Sequence, residues 1–171
     1  MPDMLPGMPA LESTASFSAC GTYRYDLTRH WGDDPMVVWV LLNPSTADAE
    51  RDDPTIRRCI GFAKQWGHGG LVVLNLFALR STDPKALYHH PDPVGPDNDA
   101  TITRWLDRDD VRRVVVAWGA HGALHDRYRA FAELALATRR IALRRAQCLG
   151  RTQKGQPRHP LYLAADTELE T

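Results

Sequence analysis

The 171-residue chain has few cysteines and no long hydrophobic run, and both absences exclude classes of protein. Its three cysteines, at positions 20, 59 and 148, include no C-x-x-C pair, which argues against a disulfide framework, a zinc ribbon or an iron–sulfur cluster. No apolar run approaches the roughly 20 residues that cross a bilayer, so no membrane span or membrane partner is expected. The N-terminus has no basic segment before an apolar core, so the cytoplasm is the predicted location.

A net charge is also absent, because 21 Lys and Arg residues balance 21 Asp and Glu residues. Bulk electrostatics therefore gives no general attraction to nucleic acid. The charges are unevenly distributed, however, since residues 134–165 contain no acid and seven basic residues: Arg139, Arg140, Arg144, Arg145, Arg151, Lys154 and Arg158. This pattern is typical either of a phosphate-binding face or of a solvated face of a helix and a loop.

Apolar runs alternate with helical periodicities along the chain, which predicts an α/β fold. Continuously apolar strands are predicted at 36–42, 71–79 and 111–119, an alternating edge strand at 23–29 and a short last strand at 144–150. Helices are predicted at 53–67, 96–107 and 122–138. Strands that alternate with helices favour a layered αβα fold with a mostly parallel sheet.

The predicted domain organisation is simple. Residues 1–20 are rich in Pro, Met and Ser without periodicity, and we interpret them as a loosely ordered N-terminal tail. Residues 21–171 are predicted to form a single α/β domain, because this length is typical of one hydrophobic core.

Polar segments follow the apolar strands, and in parallel sheets the ligand crevice lies at the carboxyl ends of the strands. The first is Asn43-Pro44-Ser45-Thr46, in which Pro44 forces a turn and leaves the Asn43 amide at the edge of the sheet. This amide can orient a water or a base edge, or it can form a turn that caps the next segment. After the second strand, Asn75 is either a backbone clamp or a ligand contact, and Arg80 either reaches a phosphate or pins its loop.

Two further segments are candidates for the same crevice. Trp118, Gly119 and His121 occur where the third strand passes into a helix, a place where backbone N–H groups can bind an anion. For Trp118 the sequence favours a core position over a platform on which a base stacks. His159 is the best candidate for a hydrogen-bond donor, and we expect the neighbouring Arg158 to favour its neutral form. The alternative for His159 is an exposed loop histidine.

Four acids, Asp48, Glu50, Asp52 and Asp53, crowd the segment before Pro54. They can bind Mg²⁺, or they can cap the helix that begins near Pro54. The chain lacks a Walker lysine, an HExxH helix and a DxDxDG loop. We therefore predict no metal site and no cofactor.

Five segments, in this order and spacing, resemble the bacterial family DUF1643: YRYDLTRHW, LLNPSTADAERDDPTIRRCIGFAKQWG, LNLFALRSTDPKAL, VAWGAHG and CLGRTQKGQPRHPLYL. The resemblance covers about residues 20 to 165. No activity is assigned to that family, so this resemblance implies kinship without naming a function.

A second resemblance, to the uracil-DNA glycosylase superfamily, implies a chemistry and a three-layer αβα sandwich with a central, mostly parallel four-stranded sheet. Asn43-Pro44 is similar to the Asn-Pro that positions the attacking water in the mismatch-specific members, and His159-Pro160 is similar to the start of the His-Pro-Ser motif that faces the departing base. Ser45 and Leu161 depart from these motifs. The resemblance implies that Asn43 and His159 are catalytic. Together with the polar segments after the strands, it leads us to predict substrate contacts from Pro44, Ser45, Thr46, Asn75, Arg80, Trp118, Gly119, His121 and Arg158.

The leading hypothesis is a glycosylase-like enzyme, an N-glycosidic-bond hydrolase, or a base-binding protein that acts on a nucleotide or nucleic acid. One alternative is a non-catalytic module that binds a nucleotide or nucleic acid in the same crevice. Another is a Mg²⁺-dependent phosphohydrolase that uses Asp48, Asp52 and Asp53. The zero net charge favours a small or locally bound substrate over long duplex DNA.

Overall fold

A five-stranded mixed sheet lies at the centre of the computed structural model, which describes residues 12–171. Its strands are β1 (Glu12–Phe17), β2 (Arg24–His30), β3 (Met36–Leu41), β4 (Gly70–Asn75) and β5 (Val111–Val116). They lie in the order β1-β2-β4-β3-β5. β3 lies between β4 and β5 and is parallel to both, whereas β2 is antiparallel to β4 and to β1.

Helices cover both faces of the sheet, which explains why β3 and β4 are buried along their whole length. The helices are α1 (Pro54–Gln65), α2 (Ala86–His89), α3 (Asn98–Leu106) and α4 (Arg127–Ala137), with 3-10 segments at Ala120–Asp126, Ile141–Arg144 and Pro160–Tyr162. One core cluster joins Val37, Trp39 and Leu41 of β3 to the buried face of α1. The alternate residues of β3 pack with α3 and α4 on the opposite face, so the layers are αβα.

Local signals place α1 where the sequence predicts it. Asp53 has extended backbone angles, and its side chain accepts a hydrogen bond from the backbone N–H of Ile56, while Pro54 occupies the first turn. The helix buries Ile56, Cys59 and Phe62 at helical spacing. Its N-terminus therefore lies at a fixed position beside the end of β3.

The α/β class and the parallel arrangement of the three apolar strands are confirmed. The sheet has five strands rather than the four predicted, and it is mixed rather than mostly parallel, because β1 and β2 both run antiparallel to their neighbours. The segment 24–30 is accordingly not an edge strand, since β1 covers it. The segment 144–150 forms isolated bridges, such as that of Gln147 with Val115, instead of a last strand.

The predicted tail is wrong for part of its length. Residues 1–11 lie outside the described residues, but Glu12–Phe17 forms β1, in register with β2 from Glu12 opposite His30. This strand has no apolar run, and its side chains are exposed or half-buried. Backbone pairing with β2 holds it, and composition alone does not indicate such pairing. Among residues 12–171 no helix combines the length and the apolar character that crossing a bilayer requires.

Candidate functional site

A cleft of about 530 Å³ opens at the carboxyl ends of β3, β4 and β5. Its walls come from the segments that follow these strands, from the N-terminus of α1 and from the segment around Pro160–Tyr162. Seven of the sequence-predicted site residues line it: Asn43, Ser45, Asn75, Trp118, Gly119, His121 and His159. The structure thus brings together Asn43, Asn75 and His159, which are far apart in sequence.

The other four candidates do not line the cleft. Pro44 is buried and Thr46 is exposed beside it. The Arg80 guanidinium lies 4.7 Å from the centroid of the Phe17 ring and donates to the Gly21 carbonyl at 3.1 Å, so it pins its loop to the end of β1. Arg158 is exposed to solvent.

Asn43 holds two loops together through its amide nitrogen. Its Nδ2 donates to the backbone carbonyls of Pro44 at 3.1 Å, Ser81 at 3.0 Å and Leu79 at 3.4 Å. Three surrounding acceptors identify this atom as the nitrogen and leave Oδ1 as a pure acceptor. No described residue donates to Oδ1, so Asn43 can accept a hydrogen bond from a water in the cleft.

Asn75, the last residue of β4, is the most unusual group in the cleft. Its side chain is 1% exposed, and neither Oδ1 nor Nδ2 has a hydrogen-bond partner among the described residues. Its backbone carbonyl is satisfied, since Asn98 donates to it at 3.0 Å. An unpartnered buried amide is costly, so this donor group and this acceptor require a partner from outside the described residues, either a bound water or a ligand.

His159 is arranged as a neutral donor. Its Nδ1 accepts a hydrogen bond from the backbone N–H of Leu161 at 3.3 Å, so the proton of the neutral ring belongs on Nε2. Burial lowers the pKa of His159 below its usual value of 6.5, and the nearby Asp53 carboxylate opposes that shift. The predicted neutral form is therefore supported, but the cause is burial, since Arg158 is exposed and its charge does not contribute to the pKa shift.

Two residues after β5 shape the wall beside His159. Gly119 has φ of 74°, and a Cβ at this position would lie 3.9 Å from the Cβ of His159. Trp118 is 7% exposed, stacks edge-on against Phe131 in the core, and donates from its indole nitrogen to Gln156 at 2.8 Å. Trp118 is thus mainly a core residue, and it fixes the loop that precedes His159.

Aromatic and histidine side chains stand at the opening of the cleft. Tyr162 is 84% exposed, and its ring centroid lies 6.3 Å from that of His159. His121 shares a hydrogen bond of 2.9 Å with the hydroxyl of Tyr88. Tyr162 was not among the predicted residues, and only its position beside the His-Pro pair signals it in the sequence.

Sequence reasoning also missed a buried charge. Arg24, the first residue of β2, lines the cleft and is 2% exposed. Its Nη1 donates to the Ala47 carbonyl at 2.9 Å, but its Nε has no partner among the described residues. Burial lowers the pKa of Arg24 to about 10, while the carboxylate of Asp53, which also lines the cleft, opposes the shift. The guanidinium therefore remains charged at neutral pH.

The acidic group before α1 is used locally. Asp48 accepts from the backbone N–H groups of Glu50 at 2.9 Å and Arg51 at 2.8 Å, and these bonds lower its pKa. Asp52 pairs with Arg29 at 2.9 Å, and Asp53 caps α1. In the part of the chain that the structure describes, no three His, Cys, Asp or Glu side chains are grouped to hold a metal ion. The arrangement supports the capping alternative for Asp53, whereas Asp48 and Asp52 stabilise the preceding turn and its contact with β2.

Comparison with known proteins gives one result. None of the curated proteins matches the chain. A sequence model of the family described as "Protein of unknown function (DUF1643)" matches residues 24–161, which span β2 to the turn after His159 and include every residue named above as lining the cleft except Tyr162. The match extends over more than half of the chain, and the protein therefore belongs to the DUF1643 family.

Proposed function

We propose that the cleft binds a nucleobase and that the protein is a glycosylase-like hydrolase of the N-glycosidic bond in a nucleotide or nucleic acid. The observation that carries this proposal is the buried Asn75 amide, whose two polar atoms lack protein partners. A nucleobase edge carries adjacent donors and acceptors, and an Asn side chain can bond to such an edge through its oxygen and its nitrogen together. Similarity of the fold to that of the uracil-DNA glycosylase superfamily is part of the same proposal.

The two other polar groups match the needs of the reaction. A water that donates to Oδ1 of Asn43 would attack the anomeric carbon of the sugar, and the C–N bond would break with its electron pair leaving on the base. Nε2–H of the neutral His159 would donate to the base oxygen on which negative charge develops. The attacking water loses one proton to solvent and the departing base takes one up, so the products are the free base and a sugar with a hydroxyl at the anomeric carbon.

The surroundings support a ligand with an exposed end. Tyr162 offers an aromatic face at the opening, and stacking of a base on an aromatic side chain contributes about 1–3 kcal/mol. Arg151, Lys154 and Arg158 are exposed on the loop that Trp118 and Gly119 tie to the cleft wall through Gln156 and Pro157. These charges favour a phosphate-bearing ligand. A cytoplasmic location, in keeping with the free thiols of the chain, is part of this proposal.

The test is release of free base from a panel of nucleosides, nucleoside monophosphates and oligonucleotides that contain uracil or mismatches, measured with and without EDTA. We expect release that EDTA does not inhibit and that Asn75→Leu abolishes. His159→Ala should also reduce release, and His68→Ala is its matched control, because His68 is a half-buried histidine that bonds to the Pro35 carbonyl and does not line the cleft.

The same assay separates the alternatives. Base binding that depends on Asn75 without any release would assign a non-catalytic binding module. EDTA-sensitive release of phosphate that is lost in Asp52→Asn would favour the phosphohydrolase. Neither binding nor release across the panel would contradict the proposal.

A further inference from the structure

We infer that Arg24 forms an anion subsite within the cleft and that it binds the terminal phosphate of a small nucleotide. This inference rests on the proposed function, because it supplies the phosphate end of a ligand whose base end meets Asn75. The residues that would form the subsite are Arg24, Thr55 and the backbone at the N-terminus of α1.

The unpaired state of Arg24 is the first step. Three arginines are buried among the described residues: Arg24, Arg29 and Arg127. Arg29 pairs with Asp52 at 2.9 Å and Arg127 pairs with Asp99 at 2.8 Å. Arg24 has no carboxylate within 4 Å among residues 12–171, and only Nη1 is bonded to protein. A buried charge without a direct ion pair is unfavourable, and the more distant Asp53 carboxylate offsets the desolvation of Arg24 only in part, so a ligand anion would be its direct partner.

The N-terminus of α1 supplies neutral donors next to this charge. Thr55 lines the cleft in the first turn, and neither its backbone N–H nor its hydroxyl is bonded to a described residue. Helix N-termini favour anions because their first N–H groups are free and the helix dipole is positive there. Asp53, the one carboxylate among the described lining residues, has its Oδ1 engaged by the N–H of Ile56 and is compensated by the same dipole.

Burial of the guanidinium selects the kind of phosphate. Arg24 is 2% exposed, so an anion must enter the cleft to reach it. A terminal phosphate can enter at the end of a small molecule, whereas an internal phosphodiester stays with its chain at the surface. A cleft of about 530 Å³ falls in the range of about 300–1,000 Å³ that is typical of small-molecule sites. The fit is therefore to a nucleoside monophosphate or a similar small nucleotide.

The experiment compares four ribonucleosides with their 5′-monophosphates by calorimetric titration. In the wild-type protein the best monophosphate should bind at least about tenfold more tightly than its nucleoside, as a charge-assisted contact provides. In Arg24→Gln this ratio should fall to about one. Arg112→Gln removes the same charge at the opposite end of the sheet, where Arg112 donates to the Asp109 carbonyl, and should keep the wild-type ratio.

A second measurement needs no substitution. Inorganic phosphate should raise the melting temperature of the wild-type protein and should weaken binding of the monophosphate but not of the nucleoside. This arm decides the question if Arg24→Gln fails to fold. No effect of phosphate, or equal affinity of wild-type protein for nucleoside and monophosphate, would overturn the inference.

The outcomes separate this inference from the proposed function. Phosphate binding that depends on Arg24, with no binding of any nucleoside, would keep the anion subsite and contradict the nucleobase proposal. Nucleoside binding that depends on Asn75, with no gain in affinity from the phosphate, would support the nucleobase proposal and contradict the anion subsite. If an oligonucleotide without a terminal phosphate competes as well as the monophosphate and depends on Arg24, the anion is an internal phosphodiester and the terminal-phosphate assignment is wrong.

Discussion

Polar side chains buried at the cleft differ from those buried in the rest of the molecule. Arg29 and Arg127 are each paired with an acid, whereas Arg24 has none within 4 Å among the described residues. Asn98 donates from its amide to the carbonyls of Asn75 and Leu76, although its Oδ1 is unpartnered. Asn75 is the one described side chain in which two polar atoms are both buried and without a partner.

The difference indicates which groups the fold needs and which it tolerates. Single unpartnered atoms occur elsewhere, such as Nε1 of Trp39, so one such atom does not mark a site. At the cleft, however, an unpaired cation and an unpaired amide lie in the same cavity. The protein compensates neither group fully, because the Asn75 side chain has no partner among the described residues and the Arg24 guanidinium has one hydrogen bond, to the Ala47 carbonyl. Their common location supports the proposed ligand, which would provide a partner for both.

Turnover should show the largest effect at the cleft. His159→Ala is expected to reduce base release by about 10²- to 10³-fold, because one preorganised donor is lost, while the melting temperature changes little. His68→Ala, at a histidine outside the cleft, should retain activity. Because burial holds the pKa of His159 below 6.5, the wild-type rate should be flat through neutral pH and fall only as the pH drops below that pKa. A fall in rate between pH 7 and 8 would contradict the neutral-donor role.

Asn43→Ala is a less selective test than the resemblance implies. Its amide nitrogen donates to three carbonyls, so its loss should loosen the loops as well as the water site. Alanine substitution therefore tests only the donor role at His159, whereas at Asn43 it changes both the loop contacts and the water site.

Among the stability variants, we expect the largest difference in the free energy of unfolding between substitutions of Arg29 and Arg24, the two arginines of β2. Arg29→Met leaves Asp52 without its ion pair and removes donors to the carbonyls of Thr28 and Asp48, so we expect a loss of about 3 kcal/mol in the free energy of unfolding. Arg24→Met loses one bond to the Ala47 carbonyl and removes an unpaired charge, so its loss should be clearly smaller. Urea denaturation of both variants checks this order, and equal losses would mean that Arg24 is a structural residue.

The two buried asparagines should differ by less. Asn98→Leu removes the side-chain donor to the Asn75 carbonyl and leaves the Leu76 carbonyl with Arg127 as its side-chain donor, so it should cost about 1–3 kcal/mol. Asn75→Leu removes an amide without protein partners and should leave the melting temperature unchanged or raise it. A clear fall in the melting temperature of Asn75→Leu would indicate that the amide has a structural partner, such as a bound water, and would weaken its assignment to a ligand.

Much of this site could be predicted because its signals are local. The apolar runs of β3, β4 and β5 and the capping pair Asp53-Pro54 identify their elements without tertiary information. The rule that ligands lie at the carboxyl ends of parallel strands then brings Asn43 and Asn75 together, and His159 joins them from the C-terminal segment, directly before the 3-10 turn Pro160–Tyr162.

Arg24 escaped prediction for a topological reason. It is the first residue of β2, and because β2 runs antiparallel to β4, its amino end lies beside the carboxyl ends of the parallel strands. The alternation of the segment from Tyr23 to Arg29 places Arg24 on one face but does not reveal strand direction. It also does not reveal that both faces are covered, as the burial of Arg24, Tyr25 and Leu27 demonstrates. β1 was missed for a related reason, since its partner strand and not its composition holds it.

Asp53 has a structural role, because it caps α1, and it also lines the cleft. Its variants should give the smallest effects on stability and on the cleft. Asp53→Ala should cost about 1 kcal/mol, because the N–H of Ile56 loses its acceptor, whereas Asp53→Asn keeps a capping oxygen and should cost less. The two variants share one electrostatic effect: because the Asp53 carboxylate raises the pKa of His159 against burial, removing its charge should lower that pKa further. NMR titration of His159 and thermal denaturation measure the two effects separately. If Asp53→Asn leaves the His159 titration unchanged, the carboxylate does not act on the cleft, and Asp53 belongs with the fully partnered groups outside it.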